Sequence, residues 1–281
     1  MKNIIKCLVT VLLISLCTSA CEAQNIHPYK MKFKDFEQWD GTLPGDNTIK
    51  NFRPYRAIYS RTYTNSKGEA RQDSILMTAQ TAYWYGKTVI LFEYHDGANP
   101  EFDDTNLRSQ LYYLDAKTLE LYYSIGPKSG TPQDYTIVRV LDDKITNSKV
   151  NTETGETAFS VLETSDPVFA SRQLRFLIWS TLDLNIGKEI KLQNVYFASQ
   201  GVTAIDLGIV AEQVDYQSPD GTNYRPFVID NTSNPTTAIV NKYFIIDEPP
   251  YVLAQGIYDA DKDEIYRWFL KLESFEYLDG K

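Results

Sequence analysis

The residue types that most often bind metals or carry out acid–base chemistry are few in this sequence. Its 281 residues include two histidines, His27 and His95, and three cysteines that all lie within the first 21 positions. Glu93 and His95 are two residues apart, so on a strand they would share a face and could supply two metal ligands, but no third ligand is evident. We interpret them as the end of a solvated strand. We therefore predict no metal, no cofactor and no catalytic residue.

The acidic segment DADKDE at 259–264 resembles the beginning of a calcium-binding loop. An EF-hand loop requires glycine at its sixth position and an acidic residue at its twelfth. Those positions are occupied here by Glu264 and Leu270, so we interpret the segment as an acidic turn. The glycine-rich nucleotide-binding motifs and the G-x-S-x-G nucleophile motif do not occur in the sequence either.

Tyrosine is the residue type that stands out in the composition, with 20 of 281 residues. Several aromatic residues are adjacent, as in 83–85, 112–113 and 122–123. Neighbouring residues on a strand point to opposite faces, so one of each pair should enter the core and the other should face solvent or a concavity. These residues either reflect β propensity and core filling, or they form an aromatic surface for sugars or acyl chains. Tyr83 and Tyr85 are the candidate ligand-binding residues of this group.

One segment, residues 165–182, has the spacing of a helix. Asp166 suits the N-cap and Pro167 the first helical position. The apolar residues that follow at helical spacing are Ala170, Leu174, Leu177, Ile178 and Trp179. This helix should pack on the sheet, either as a permanent part of the core or at the edge of a cavity. In the second case Phe176 and Trp179 would contact a bound apolar ligand.

The elements that must position these residues are short strands. From Tyr55 onward, aromatic and β-branched residues recur at spacing two, with turn signals about every 8–12 residues. At one such turn, Asp115 can accept hydrogen bonds from backbone N–H groups two or three residues further on. More than ten strands are predicted, and sheets of that size curl, split or close. We predict a mostly β fold: a large antiparallel, strongly curved sheet or barrel with one short helix packed against it.

The N-terminal residues 1–20 have the layout of a secretory signal peptide, with Lys2 and Lys6 before an apolar run and small residues after it. The run is shorter than the roughly 20 residues that span a membrane as a helix. Two cleavage sites compete. TSAC at 18–21 resembles a lipobox, which would place a lipid on Cys21, whereas ordinary signal peptidase would cut after Ala23. We favour the lipid anchor on Cys21.

The remaining organisation follows from composition. Residues 21–54 contain helix and strand breakers and are expected to form a tether and lead-in, and residues 55–281 a single antiparallel β domain. The net charge of −9 argues against nucleic acid as a partner and against adsorption to anionic lipid. Attachment to a membrane must then come from the lipid anchor. We expect an exported protein in the periplasm or at the outer membrane or cell surface of a bacterium; the sequence does not specify its oligomeric state.

Several segments occur in an order that resembles a known family. They are YLDAKTLELYYSIG, SDPVFASRQLRFLIWSTLDLNIGKEIKL, KYFIIDEPPYVLAQGIY and LKLESFEY. Together they are similar to the exported bacterial domain of unknown function 3108 family, over residues 55–278. DLNIG replaces the Leu-Pro-Leu step of that family. The resemblance implies an antiparallel β fold in the cell envelope and transfers no catalytic residue.

Two function classes are compatible with these features. The first is a non-enzymatic envelope lipoprotein whose curved sheet holds an apolar or amphipathic ligand. The second is a protein that binds or processes polysaccharide with exposed aromatic residues and carboxylates. The environment of the exposed Tyr and Trp residues distinguishes them: a closed apolar cavity favours the first class, and an open platform favours the second.

Overall fold

The computed structural model describes most of the predicted β domain. The described residues are 52–64, 69–96, 108–128, 131–141, 144–163, 168–170, 174–197, 201–232, 239–259 and 264–280. The predicted signal peptide, Cys21, His27 and residues 21–51 of the tether and lead-in lie outside these ranges, as do Asp166, Pro167 and the centre of the DADKDE segment.

The first half of the domain is a meander of eight antiparallel strands. Each strand pairs with the next along the chain. The strands are β1 (Tyr55–Thr64), β2 (Ala70–Trp84), β3 (Lys87–Asp96), β4 (Arg108–Asp115), β5 (Leu121–Lys128), β6 (Thr131–Val140), β7 (Lys144–Asn151) and β8 (Thr157–Glu163).

The second half contains a short helix and nine further strands. In chain order these are β9 (Phe169–Ala170), α1 (Arg175–Trp179), β10 (Glu189–Phe197), β11 (Gly201–Gln213), β12 (Tyr216–Gln217), β13 (Asn223–Tyr224), β14 (Phe227–Thr232), β15 (Ile239–Ile245), β16 (Val252–Asp259) and β17 (Glu264–Tyr277). The strands β12 and β13 form a separate two-stranded sheet.

The remaining fifteen strands form one sheet, in the order β8-β7-β6-β5-β4-β3-β2-β1-β17-β16-β15-β14-β11-β10-β9. The first and last strands of the domain, β1 and β17, are neighbours in its middle, with Tyr55 opposite Tyr277. Among the described strands, only β9 pairs in parallel, with β10. The predicted mostly β, antiparallel fold is therefore confirmed. The sheet is open and is not closed into a barrel.

The sheet curves strongly around α1. Phe176 packs its ring 6.0 Å from that of Phe92 on β3, and Trp179 packs 4.9 Å from Tyr243 on β15. In the strand order these two strands are five spacings apart, which in a flat sheet is about 24 Å. Phe176 and Trp179 lie one helical turn apart, about 4.5 Å along the axis. Only a curved sheet can bring both strands to one turn of helix.

A short contact links the two halves of the curved sheet on its far side. Glu120, just before β5, forms an isolated bridge with Phe169 of β9. The Leu121 N–H donates to the Val168 carbonyl at 2.8 Å. The segment 168–170 thus lies between β5 and β10, and strands β6 to β8 extend beyond this link. Because it is a single bridge and not a ladder, the sheet remains open.

The predicted helix is correct in type but wrong in extent. It occupies only Arg175–Trp179, and Leu174 precedes it without a side-chain cap hydrogen bond. Phe169 and Ala170, expected to be helical, form β9 instead. The physical reason is that their backbone groups pair with Val195 and Tyr196 of β10, so sheet pairing in the folded protein overrides the local helical pattern.

All five residues of α1 are buried, so the helix fills the concave side of the sheet and has no solvent face. Trp179 packs closely on β11, where a Cβ added to Gly208 would approach its ring to 3.4 Å. Arg175 donates a short hydrogen bond to Asn231 on β14, and its guanidinium lies 5.7 Å from the ring of Trp179. The helix therefore holds strands from both halves of the sheet together.

Candidate functional site

Four aromatic side chains form a continuous surface at one end of strands β2 to β5. The ring of Trp84 lies 4.3 Å from Tyr113, 5.3 Å from Tyr123 and 4.9 Å from Tyr85. Tyr113 and Tyr123 are opposite each other on β4 and β5, with ring centroids 5.7 Å apart. We call Trp84, Tyr85, Tyr113 and Tyr123 the aromatic platform.

The aromatic platform lies on the convex face, opposite α1. Tyr112 and Leu114, which flank Tyr113, are buried, and the Cα partner of Tyr112 is Phe92, whose ring contacts α1. Alternation along β4 then directs Tyr113 to the other face. Three members of the platform are partly exposed, and Tyr85 is 61% exposed. The platform is thus an open surface and not a cavity lining.

The position of Tyr85 depends on a tight turn. Tyr85 and Gly86 form the two-residue loop between β2 and β3, and both have positive φ, 47° and 78°. Positive φ at both positions is typical of a type I′ hairpin turn, whose twist matches the flanking strands. Glycine adopts this conformation at little cost, whereas tyrosine pays a steric penalty of about 1 kcal/mol. This penalty is partly offset by the contact of the Tyr85 ring with Trp84.

A polar cluster borders the platform. The Tyr122 hydroxyl donates a short hydrogen bond to Asp115, and Lys87 Nζ donates to the same hydroxyl at 3.1 Å. Asp115 Oδ1 also accepts the backbone N–H groups of Lys117 and Thr118, at 2.7 and 3.0 Å. The predicted role of Asp115 in the turn is confirmed. Its carboxylate is therefore engaged in holding the turn between β4 and β5.

Glu120 is the second carboxyl of this turn, and it is buried with 2% of its surface exposed. Its pKa is raised to about 8, mainly by burial and also by the charge of Asp115, while the Thr118 hydroxyl and Lys87 act to lower the pKa. Glu120 Oε1 has no hydrogen bond of good geometry within the described part of the chain. The residue before it in the turn is also unusual, because Leu119 has a φ of 60°.

A cation borders the platform on β6. Arg139 is exposed and is the Cα partner of Tyr123. Burial raises the pKa of the Tyr123 hydroxyl, and the charge of Arg139 acts in the opposite direction. The surface thus combines closely packed rings, hydroxyl groups and an exposed cation.

The structure separates the four residues predicted to bind a ligand. Phe176 and Trp179 are fully buried on the concave side, whereas Tyr83 and Tyr85 are 81% and 61% exposed. Only Tyr85 belongs to the platform. Trp84, Tyr113 and Tyr123 were visible in the sequence as members of adjacent aromatic groups, but the sequence did not reveal which member of each group faces outward. Glu120 and Lys87 gave no sequence signal.

Glu93 and His95, the candidate pair of metal ligands, lie close together on β3. His95 Nδ1 lies 2.7 Å from Ser109 Oγ, and His95 Nε2 lies 3.5 Å from Glu93. In the parts of the chain that the structure describes, no three His, Cys, Asp or Glu side chains group as around a metal ion. None of the helices in those same parts is long and apolar enough to cross a membrane.

The chain matches no protein-family model and no curated protein. Its function must therefore be argued from the surface described above.

Proposed function

We propose that this chain is an exported, non-enzymatic protein of the bacterial cell envelope that binds a saccharide on the aromatic platform. The observation that carries the proposal is the cluster of Trp84, Tyr113 and Tyr123 on an open, convex surface, with ring centroids 4.3–5.7 Å apart and ring planes tilted or edge to face. Rings of this kind offer an apolar face for the C–H groups of a sugar, with hydroxyls at the edge as hydrogen-bonding groups. An open surface accommodates a long chain that continues beyond the protein, as a polysaccharide does.

Hydrogen bonding of one nearby carboxyl group and burial of the other favour binding without cleavage. Glycosidases generally place two carboxyl groups on either side of the scissile bond. Asp115 is engaged with Tyr122 and two backbone N–H groups, and Glu120 is buried. Neither side chain can reach a sugar ring stacked on the platform without a change in the turn.

The test is binding of the purified protein to an array of defined oligosaccharides, followed by titration with the strongest of them. Trp84→Ala should weaken binding about tenfold or more, since buried aromatic anchors dominate such contacts. Tyr83→Ala is the matched control, because Tyr83 is adjacent to Trp84 yet points to the other face. The proposal fails if no oligosaccharide binds the wild type, or if Trp84→Ala, still folded by circular dichroism, binds as well as the wild type.

A second candidate is an apolar or amphipathic ligand on the concave face, as in the first class considered above. One observation favours it: the Trp179 indole N–H is buried without an acceptor among the described residues. Buried donors in a protein core usually have a hydrogen-bond partner. A ligand could enter only if α1 moved away from the sheet. In a displacement assay, binding of a fluorescent fatty acid to the wild-type protein would support this candidate. No binding of the probe would eliminate it.

A further inference from the structure

Within the described part of the chain, no element covers the free edge of the outermost strand β8. Among the strands that the structure describes, β8 pairs only with β7. All seven of its residues are exposed, including Phe159 at 67%, Val161 at 49% and Leu162 at 46%. Its pairing with β7 runs through all seven positions without a register shift.

Such an edge is unusual in a soluble domain. Exposed N–H and C=O groups of an edge strand can pair with another chain, and proteins usually prevent this with lysine, proline, a bulge or a covering element. The strand TAFSVLE contains neither lysine nor proline, and the uninterrupted register indicates no bulge. As far as the described residues go, its outward-facing backbone groups are therefore available for pairing over the whole strand.

We propose that β8 pairs antiparallel with β8 of a second copy of this chain, around a twofold axis at Ser160. The sequence of the strand is complementary to itself in this register. Phe159 then faces Val161 of the second copy on one side of the sheet, and Ala158 faces Leu162 on the other. Aromatic and β-branched residues are favourable cross-strand partners.

Other registers fit less well. A shift that keeps each residue on its own face must move the strand by two positions. One such shift leaves five pairs and places Phe159 opposite Glu163; the other also leaves five pairs. The register centred on Ser160 uses all seven residues and sets Glu163 opposite Thr157, with no like charges face to face. It also closes on itself, as twofold dimers do.

The first test is sedimentation velocity of the purified protein with and without a charge on the edge. Phe159→Lys should raise the dimer dissociation constant about tenfold or more, because lysine on an edge opposes pairing. Ile186→Lys is the matched control, since Ile186 is similarly exposed at 66% but lies between α1 and β10. It should leave the dimer intact. A wild type that is monomeric at about 100 µM, or a dimer that Phe159→Lys does not weaken, would overturn the proposal.

The second test fixes the register by cross-linking. With Cys21→Ala as background, Ser160→Cys places its thiol opposite its own copy, where Cα atoms of paired strands are about 4.5–5.5 Å apart and a disulfide can form. Thr157→Cys is the control, because six residues then separate the two thiols by about 20 Å. Rapid oxidation of Ser160→Cys alone is expected. Equal cross-linking of both variants, or of neither, would contradict the twofold register.

Discussion

Glu120 shows how strongly the folded surroundings change the chemistry of one residue. Its carboxyl has an ordinary pKa of 4.5, and burial raises that pKa to about 8 in the folded protein. Between these values the folded state retains a proton that the unfolded chain has lost. The contribution of Glu120 to the free energy of unfolding should therefore be highest below pH 4.5. It should fall as the pH rises towards 8 and level off above pH 8.

Replacing Glu120 with glutamine should remove this dependence. We expect Glu120→Gln to be more stable than the wild type by about 4 kcal/mol at pH 8 and to differ little near pH 4.5. Urea unfolding at several pH values measures this. Glu153→Gln, in the exposed turn between β7 and β8, is the control and should follow the wild-type pH profile. A Glu120→Gln profile parallel to that of the wild type would show that the group stays ionised when folded.

Part of this turn could be predicted from the sequence, and part could not. The hydrogen bonds of Asp115 depend on residues two and three positions away, so local sequence was sufficient to predict them. The burial of Glu120 depends on Phe169, which lies 49 positions later in the chain and meets it only through the fold. No local pattern carries that information.

At the scale of elements, α1 acts as the internal support of the curved sheet. Trp179→Ala removes a fully buried ring that contacts Tyr243, and it should cost about 3–5 kcal/mol in the free energy of unfolding. Trp179→Phe should cost much less, because it keeps most of the ring and removes an indole N–H that has no acceptor among the described residues. Denaturant titration of both variants gives the comparison. A loss below about 1 kcal/mol for Trp179→Ala would mean that the helix does not support the core.

The helix also marks where sequence patterns lose their predictive value. Leu174, Leu177, Ile178 and Trp179 were expected on one buried side, and all four are buried. The pattern did not reveal that Arg175 is buried as well, or that Val168 to Ala170 would join the sheet. Both outcomes depend on the strands that surround the helix, and a helical period over a few residues cannot report them.

For the whole molecule, the N-terminal sequence makes a prediction about location. If Cys21 carries the lipid, Cys21→Ala should move the protein from the membrane fraction to the soluble one, since the acidic domain has no charge-based attraction to anionic lipid. Fractionation with immunodetection measures this, and mass spectrometry of the wild type should find acyl groups at Cys21. An unmodified Cys21, or a variant that stays with the membrane, would refute the anchor.

The arrangement of strands was predictable in outline from the sequence. Alternation along β1, where Tyr55, Ala57 and Tyr59 are buried between exposed Arg56 and Ile58, was readable residue by residue. The choice between an open sheet and a barrel was not, because it depends on whether the outermost strands meet. Here β8 extends past the Glu120–Phe169 bridge, so the sheet does not close there.

The pairing of β1 with β17 has a consequence for the order in which the chain folds. Arg53 and Asp279, which form an ion pair just beyond the ends of these strands, are 226 positions apart, and contacts this distant form slowly because a long loop must close first. Hairpins within each half can form early. The pairing of β1 with β17, which joins the two halves, can form only after the last strand has been synthesised. If this chain is exported, as we propose, it has to pass through a narrow channel before it folds. Late pairing of β1 with β17 would then help to keep the chain unfolded until all of it has crossed.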